Sequence, residues 1–292
     1  MSAEIIFTQH LVNGLLLSGI YGLVAVGLTL IYGVLEIVNF AHGEFYMLGA
    51  YLTFIASAWL GLPYYASVIL AVLSSAFIAL IVERGAIRPI VERSFESKVL
   101  STFAISMILA NAVLLLFTAT PRTVRTGIAG TIEFAGVFFS VERVVALLTG
   151  YLAFLALHMF LQRTRLGKAI RAVAQNRDAC YVVGIDLHKM ARLTFALGIG
   201  LAGLAGALIA PIFSIEPSMG QAVVLKAFAI VIVGGFGSVK GAALAALIVG
   251  LGESLVGGYV SATLKDGLAF LIIILVLIIR PQGIFGRATR VL

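Results

Sequence analysis

The stretch GVLEIVNFAHGEFYMLGAY, residues Gly33–Tyr51, lies between long apolar runs yet carries Glu36, Asn39, His42 and Glu44. The flanking runs decide the fold class. About 20 consecutive apolar residues cross the hydrocarbon core of a bilayer, and runs of this kind fill the chain from end to end with short polar breaks. Of 292 residues, 61% are hydrophobic and 11% charged, and the mean hydropathy is +1.13. An ordinary soluble domain carries about 25% charged residues. The sequence therefore predicts an all-α polytopic membrane protein, with a single transmembrane domain over residues 1–292.

Apolar segments fall near 9–32, 45–60, 64–82, 99–119, 141–161, 193–212, 222–236, 240–258 and 265–280. Those at 45–60, 222–236 and 265–280 are shorter than a full span, so the expectation is eight or nine transmembrane helices. No Lys or Arg precedes Arg84, so the basic start of a cleaved signal peptide is missing and none is expected.

The basic residues cluster: Arg84, Arg88, Arg93 and Lys98; seven between Arg163 and Arg192; and Arg280, Arg287 and Arg290, fourteen of the 20 Lys and Arg in all. Short loops rich in Lys and Arg stay on the cytoplasmic side. These three segments and the C-terminus are thus expected in the cytoplasm, and the N-terminus and residues 120–140 outside. The isoelectric point of about 9.7 reflects this loop charge and some contact with anionic lipid, not a nucleic-acid surface.

Charged side chains inside a bilayer usually face a bundle interior or a water-filled path. The run NFAHGEF can also break a helix. Asn39 can cap a following helix, Gly43 tolerates unusual dihedrals, and Glu44 falls in a first turn whose dipole favours an anion. A second interruption stands at Ile230–Gly250, where Gly234, Gly235, Gly237 and Gly241 split an apolar run. Glycine-broken segments in both halves of a chain point to a transport pathway built on an internal repeat; the plainer alternative is close helix packing. The candidate pathway and gate residues are Asn39, Phe40, His42, Gly43 and Glu44 with Gly234, Gly235, Phe236, Gly237 and Ser238. For His42, a buried imidazole satisfied by a carbonyl or by Glu44, a proton relay and a pathway lining all stay open.

Other chemistry finds little support. GGFGSVKG lacks the Gly-Lys-Ser/Thr order of a phosphate loop and is flanked by apolar spans, so no ATP site is expected. The four His are scattered, so no metal site is expected, and the lone Cys180 forms no internal disulfide. The sequence shows no Ser/His/Asp set in a catalytic context, and no cofactor of the chain's own is expected. Ala202 with Gly206, and Gly203 with Ala207, have the spacing of a tight helix contact.

The segment at about 162–192 is patterned as two short helices. Ala169 to Ala174 form the first, Asn176 caps the second with Asp178 in its first turn, and Gly184 ends it. A charged corner of this kind suits docking to a cytoplasmic partner, as against a solvated connector lying on the membrane face.

VNFAHGEFYMLGAYL, RTRLGKAIRAVAQNRDACYVVGID, IVGGFGSVKGA and the closing RPQGIFG resemble the permease subunits of branched-chain amino-acid ABC importers, of the LivH type, in order from about residue 10 to residue 286. The resemblance implies a permease in a bacterial-type inner membrane that imports branched-chain or related small amino acids. It further implies a second, related permease, two cytoplasmic ATPase subunits that use the ATP, and a periplasmic binding protein. The 162–192 segment then corresponds to the loop through which the ATPases act, and Arg171, Asn176, Arg177, Asp178, Gly184 and Ile185 fall on it. Related permeases move urea, short amides or sugars. A self-sufficient proton-coupled transporter or channel, and a membrane scaffold without transport, are the alternatives from other classes.

Overall fold

The computed structural model describes residues 3–127, 130–134 and 136–286. Two of the three basic residues expected in the tail, Arg287 and Arg290, lie outside the described residues. Each of the nine apolar segments forms a helix: α1 (Ala3–Leu35), α2 (His42–Phe54), α3 (Tyr64–Val82), α4 (Phe95–Phe117), then α5 (Val141–Arg163). The basic segment adds two short helices, α6 (Arg165–Val173) and α7 (Arg177–Val182). After them come α8 (Leu187–Ile209), α9 (Met219–Gly234), α10 (Val239–Tyr259) and α11 (Lys265–Ile279). Between α4 and α5 a small antiparallel hairpin pairs β1 (Thr131–Phe134) with β2 (Val137–Ser140).

Among the described residues six helices are long and apolar enough to cross a bilayer: α1, α3, α4, α5, α8 and α10. The other three apolar helices, α2, α9 and α11, have 13, 16 and 15 residues. At 1.5 Å per residue they fall short of a hydrocarbon core about 30 Å thick. The chain is an all-α polytopic membrane protein in which full-length and short helices are mixed.

α1 is apolar on every face, the pattern of a helix surrounded by others, and 89% of its most apolar window is buried against 11% for α4. It packs on α8, α9 and α10, while α8 also packs on α2 and α3. The expected small-residue stripe of α8 makes these contacts. A Cβ on Gly206 would overlap the Tyr46 carbonyl, and one on Gly49 would overlap the backbone of Gly203. α3, α4 and α5 expose Ile69, Leu115 and Leu152 at the periphery.

Candidate functional site

α1 does not run into α2. After Leu35 the chain leaves the helix at Glu36, a non-glycine residue with φ of 54°, and residues 36–41 fold back into the bundle. His42, the first residue of α2, places Nε2 2.9 Å from the carbonyl oxygen of Val24. Val24 lies eleven residues from the end of α1, about 16 Å along the axis, so α2 begins near mid-depth. Irregular backbone at that depth must be satisfied by protein. The Glu36 N–H donates to the Tyr32 carbonyl at 2.9 Å, and the Thr102 hydroxyl of α4 donates to the Val38 carbonyl at 3.0 Å. The Ala41 N–H donates to Asn39 Oδ1 at 3.2 Å, and the His42 N–H to the Asn39 carbonyl at 3.2 Å. The Phe40 ring fills the gap between Phe103 of α4 and Phe228 of α9, with centroids 6.3 and 4.9 Å away.

The discontinuous helix expected from NFAHGEF is present, with three differences in detail. Asn39 does not cap α2; the N-cap is Ala41, because the Asn39 turn sits ahead of the helix start. Gly43 is helical and needs no positive φ; it is the exposed Glu36 that adopts one. Glu44 lies in the first turn of α2, but its Oε1 accepts from the Ser106 hydroxyl at 3.0 Å rather than from His42. Side chains two apart on a helix point away from one another.

Gly43 serves close approach. A Cβ there would overlap the Gly220 carbonyl, and a Cβ on Gly220 would come 2.6 Å from Glu44 Oε2. Gly220 is in the first turn of α9, so two short helices meet by their N-terminal ends around one carboxylate. Asn39 Nδ2, His42 Nδ1 and Glu44 Oε2 are buried and have no protein hydrogen-bond partner among the described residues. Each such atom costs about 1–3 kcal/mol, a cost that packing alone does not require.

The second expected interruption is of another kind. Gly234–Ser238 form the tight turn from α9 to α10, with Gly235 at φ 96° and Gly237 at φ 77°, and Ser238 Oγ caps α10 by accepting the Gly241 N–H at 3.1 Å. The RPQGIFG segment closes over this turn, as the Ile284 and Phe285 N–H groups donate to the Val233 and Gly234 carbonyls at 2.8 and 3.1 Å. The Phe236 and Tyr32 rings meet at a tilt of 45°, with centroids 4.6 Å apart. The turn lies about 21 Å of helix from Gly220, so the structure does not bring it together with residues 39–44. It faces instead a cavity of about 890 Å³ lined by Gly33, Arg171, Gln175, Phe236, Ser238 and Gln282, which joins the end of α1 to the basic loop.

That loop has the expected build. Asn176 Oδ1 caps α7 by accepting the Ala179 N–H at 2.9 Å, Asp178 lies in its first turn, and Gly184 ends the segment at φ 80°. The Ile185 N–H donates to the Cys180 carbonyl at 2.9 Å, and its side chain packs on the core. Arg171 fastens α6 to α5 by donating from Nε to the Leu161 carbonyl at 2.9 Å. Neither Arg177 nor Asp178 forms an ion pair among the described residues.

Three features escaped sequence reasoning. Asp186 caps α8, accepting the Lys189 N–H at 2.9 Å, which holds its carboxyl below the usual carboxylate range. Tyr181, Val182 and Val183 at the tip of the loop are 74%, 83% and 73% exposed. Within the apolar bundle, Lys226 of α9 pairs with Glu253 of α10 at 2.5 Å and with Asp266 of α11 at 2.9 Å. A lysine and a glutamate inside otherwise apolar segments were the available signal for that cluster.

Short helices meeting at their first turns inside a bundle of spanning helices, with a structured basic loop at one face, define a multi-pass membrane protein of the transport-permease class. Residues 10–277 match the family described as branched-chain amino acid transport system / permease component. The chain belongs to this family. It is 35% identical to the high-affinity branched-chain amino acid transport system permease protein BraD of Pseudomonas aeruginosa, with 96% of each chain covered. It is 34% identical to LivH of Salmonella typhimurium, the corresponding permease protein, again over 96% of each. Among solved structures, PsaBC from Streptococcus pneumoniae in complex with Fab shares the fold, with a TM-score of 0.52 at 14% identity, covering 96% of this chain and 94% of that one.

Proposed function

We propose that this chain is the membrane-spanning permease subunit of an inner-membrane ABC importer for branched-chain or related small amino acids. The observation that carries the reading is the match to permeases of that name along nearly the whole chain, at 35% identity. In this reading ATP is hydrolysed by two separate cytoplasmic ATPase subunits, a second permease subunit completes the membrane part, and a periplasmic binding protein delivers the substrate. The junction of α2 and α9 is the element that moves, and residues 39–44 line or shape the gate. The test is uptake of L-leucine by proteoliposomes holding the assembled complex. Uptake that needs both ATP and the binding protein supports the reading. Uptake driven by a pH gradient through this chain alone overturns it.

The proposed orientation puts α6, α7 and the Gly234–Ser238 turn in the cytoplasm and the β1–β2 hairpin outside, following the Lys and Arg distribution. Reporter tags after Arg93 and after Lys189 are expected to read as cytoplasmic, and one near Thr126 as external. A cytoplasmic reading near Thr126 refutes the arrangement.

The exposed tip Tyr181–Val183, beside Arg177 and Asp178, which form no ion pair among the described residues, is the surface offered to the ATPases. Exposed apolar patches next to charged residues commonly mark interfaces. Val182→Glu is expected to weaken ATPase association about tenfold, the effect of roughly 1.4 kcal/mol at an interface position. Asp178→Lys is expected to leave the permease in the membrane while separating ATP hydrolysis from uptake. Co-purification and uptake assays read both, and normal transport by the two variants removes the docking role.

A further inference from the structure

The cavity beside the Gly234–Ser238 turn carries charge of one sign. Arg171 of α6, Lys240 of α10 and His158 of α5 line it, and no carboxylate does. Arg171 donates through Nε to the Leu161 carbonyl, and among the described residues Arg171, Lys240 and His158 form no ion pair. The amides of Gln175 and Gln282 add neutral donors to the same lining. Arg171 is half-buried and Lys240 exposed, so water can serve both charges, and an anion that replaces this water gains charge-assisted hydrogen bonds. A guanidinium fork and an ammonium in one lining suit the oxygens of a phosphate.

The rest of the lining is apolar and lies at the depth of the bilayer edge. The end of α1 stands about 16 Å of helix from mid-depth, close to the limit of a hydrocarbon core about 30 Å thick. Thr29, the deepest residue of α1 in the lining, lies six residues before that end, about 9 Å inward. The cavity therefore runs from the headgroup layer into the outer part of the hydrocarbon, where Leu30, Val34 and Leu277 line it. α5 packs on α1, α6 and α8, and α11 packs on α9 and α10, and the cavity occupies the gap between these two groups. The outer surfaces beside the gap are apolar and exposed, through Leu155 and Met159 of α5 and Ile278 and Ile279 of α11.

We infer that this cavity is a binding site for an anionic phospholipid, taken from the leaflet on the side of the basic loop. The phosphodiester lies toward Arg171, Lys240 and His158, and the acyl chains run along α5 and α11. Basic pockets between transmembrane helices recognise lipid headgroups in this way. A free phosphate meets the same donors and leaves the apolar half of the cavity unused, which favours the lipid as the source. Arg171 belongs to the loop and Lys240 to the bundle, so the bound phosphate ties α6 to the start of α10. The inference rests on the membrane-spanning fold and is independent of the import reading.

The test uses the full chain carrying Trp59→Phe and Phe236→Trp, so that its one tryptophan lies in the cavity lining. Vesicles are phosphatidylcholine with a minor share of phosphatidylglycerol, and either lipid is supplied with brominated acyl chains that quench a neighbouring tryptophan. Each Lys or Arg near an anionic lipid strengthens its association about fivefold. Brominated phosphatidylglycerol is therefore expected to be preferred over brominated phosphatidylcholine by about 25-fold, falling to about fivefold in Lys240→Gln. Lys168→Gln removes an exposed charge of the same loop that does not line the cavity, and the preference is expected to stay unchanged. Native mass spectrometry of the chain without the tryptophan exchanges reads the same site independently. It is expected to show one retained phosphatidylglycerol, with about fivefold less retention in Lys240→Gln. Equal quenching by the two lipids, or a preference that Lys240→Gln leaves intact or Lys168→Gln lowers as much, overturns the inference. Relief of quenching by inorganic phosphate assigns the cavity to a free anion, and loss of quenching on assembly with the other subunits assigns it to a protein contact. Either result removes the lipid site, whereas leucine uptake bears on the import reading alone.

Discussion

Gly43→Val is expected to abolish ATP-driven uptake while the protein still inserts into the membrane. A Cβ at this position would overlap the Gly220 carbonyl and come 2.7 Å from Val224 Cβ, so the first collision is with backbone that cannot rotate away. Overpacking a well-packed contact costs about 1–3 kcal/mol and occasionally more, and the upper part of that range corresponds to about a hundredfold. The nearest collisions all fall on the junction of α2 and α9. Gly267→Ala is the control: Gly267 is in α11 with no atom within 4 Å of an added Cβ, and uptake is expected to be unchanged. Uptake by reconstituted complexes decides, and a normal rate in Gly43→Val removes the junction from the mechanism.

The second large effect is on stability. Lys226→Met leaves Glu253 buried without its cation, and breaking a buried pair from one side costs about 3–5 kcal/mol. The thermal midpoint in detergent is expected to fall by roughly 10 °C. Lys226→Met combined with Glu253→Leu replaces the pair by apolar groups and is expected to recover most of the loss. Asp266 is 64% exposed in its side chain, so water can serve it when Lys226 is gone. Heating followed by size-exclusion chromatography measures both variants, and a double variant no better than the single would show that the pair is not the source of the effect.

The apolar runs made the nine helical segments legible in the sequence because membrane burial imposes a length and a composition together. The break after Leu35 was legible as well, since four polar residues in an apolar setting have no other local explanation. The direction in which the broken pieces face was not. Gly43 and Gly220 are far apart in the chain, and Gly220 lies in a segment, EPSMGQAV, that looks like an ordinary connector. The eye goes to the glycine run Gly234–Gly241, where glycines serve two positive-φ positions and a close approach within one tight turn. Local conformational demands leave a compositional trace, whereas a contact between remote backbones leaves a single glycine on each side. The Lys226–Glu253 pair was visible only as two isolated charges, because nothing in either segment states which helices become neighbours. In the basic loop the caps at Asn176 and Gly184 were readable from spacing. The exposure of Tyr181–Val183 was not, as apolar residues in a short helix read as buried.

The meeting of α2 and α9 has an electrical meaning as well as a steric one. Each helix presents roughly half a positive charge at its N-terminal end, and the Glu44 carboxylate sits where both ends converge. Two half charges and one anion would sum to about zero, so the paired helix ends favour the ionised form of a carboxylate that has no basic side chain in an ion pair with it among the described residues. A waist neutralised by backbone dipoles changes its field only when the two helices part. Motion there is thereby coupled to local polarity. A lone cation placed at this junction meets two helix ends whose counter-charge is already spent, so the waist offers it no compensation.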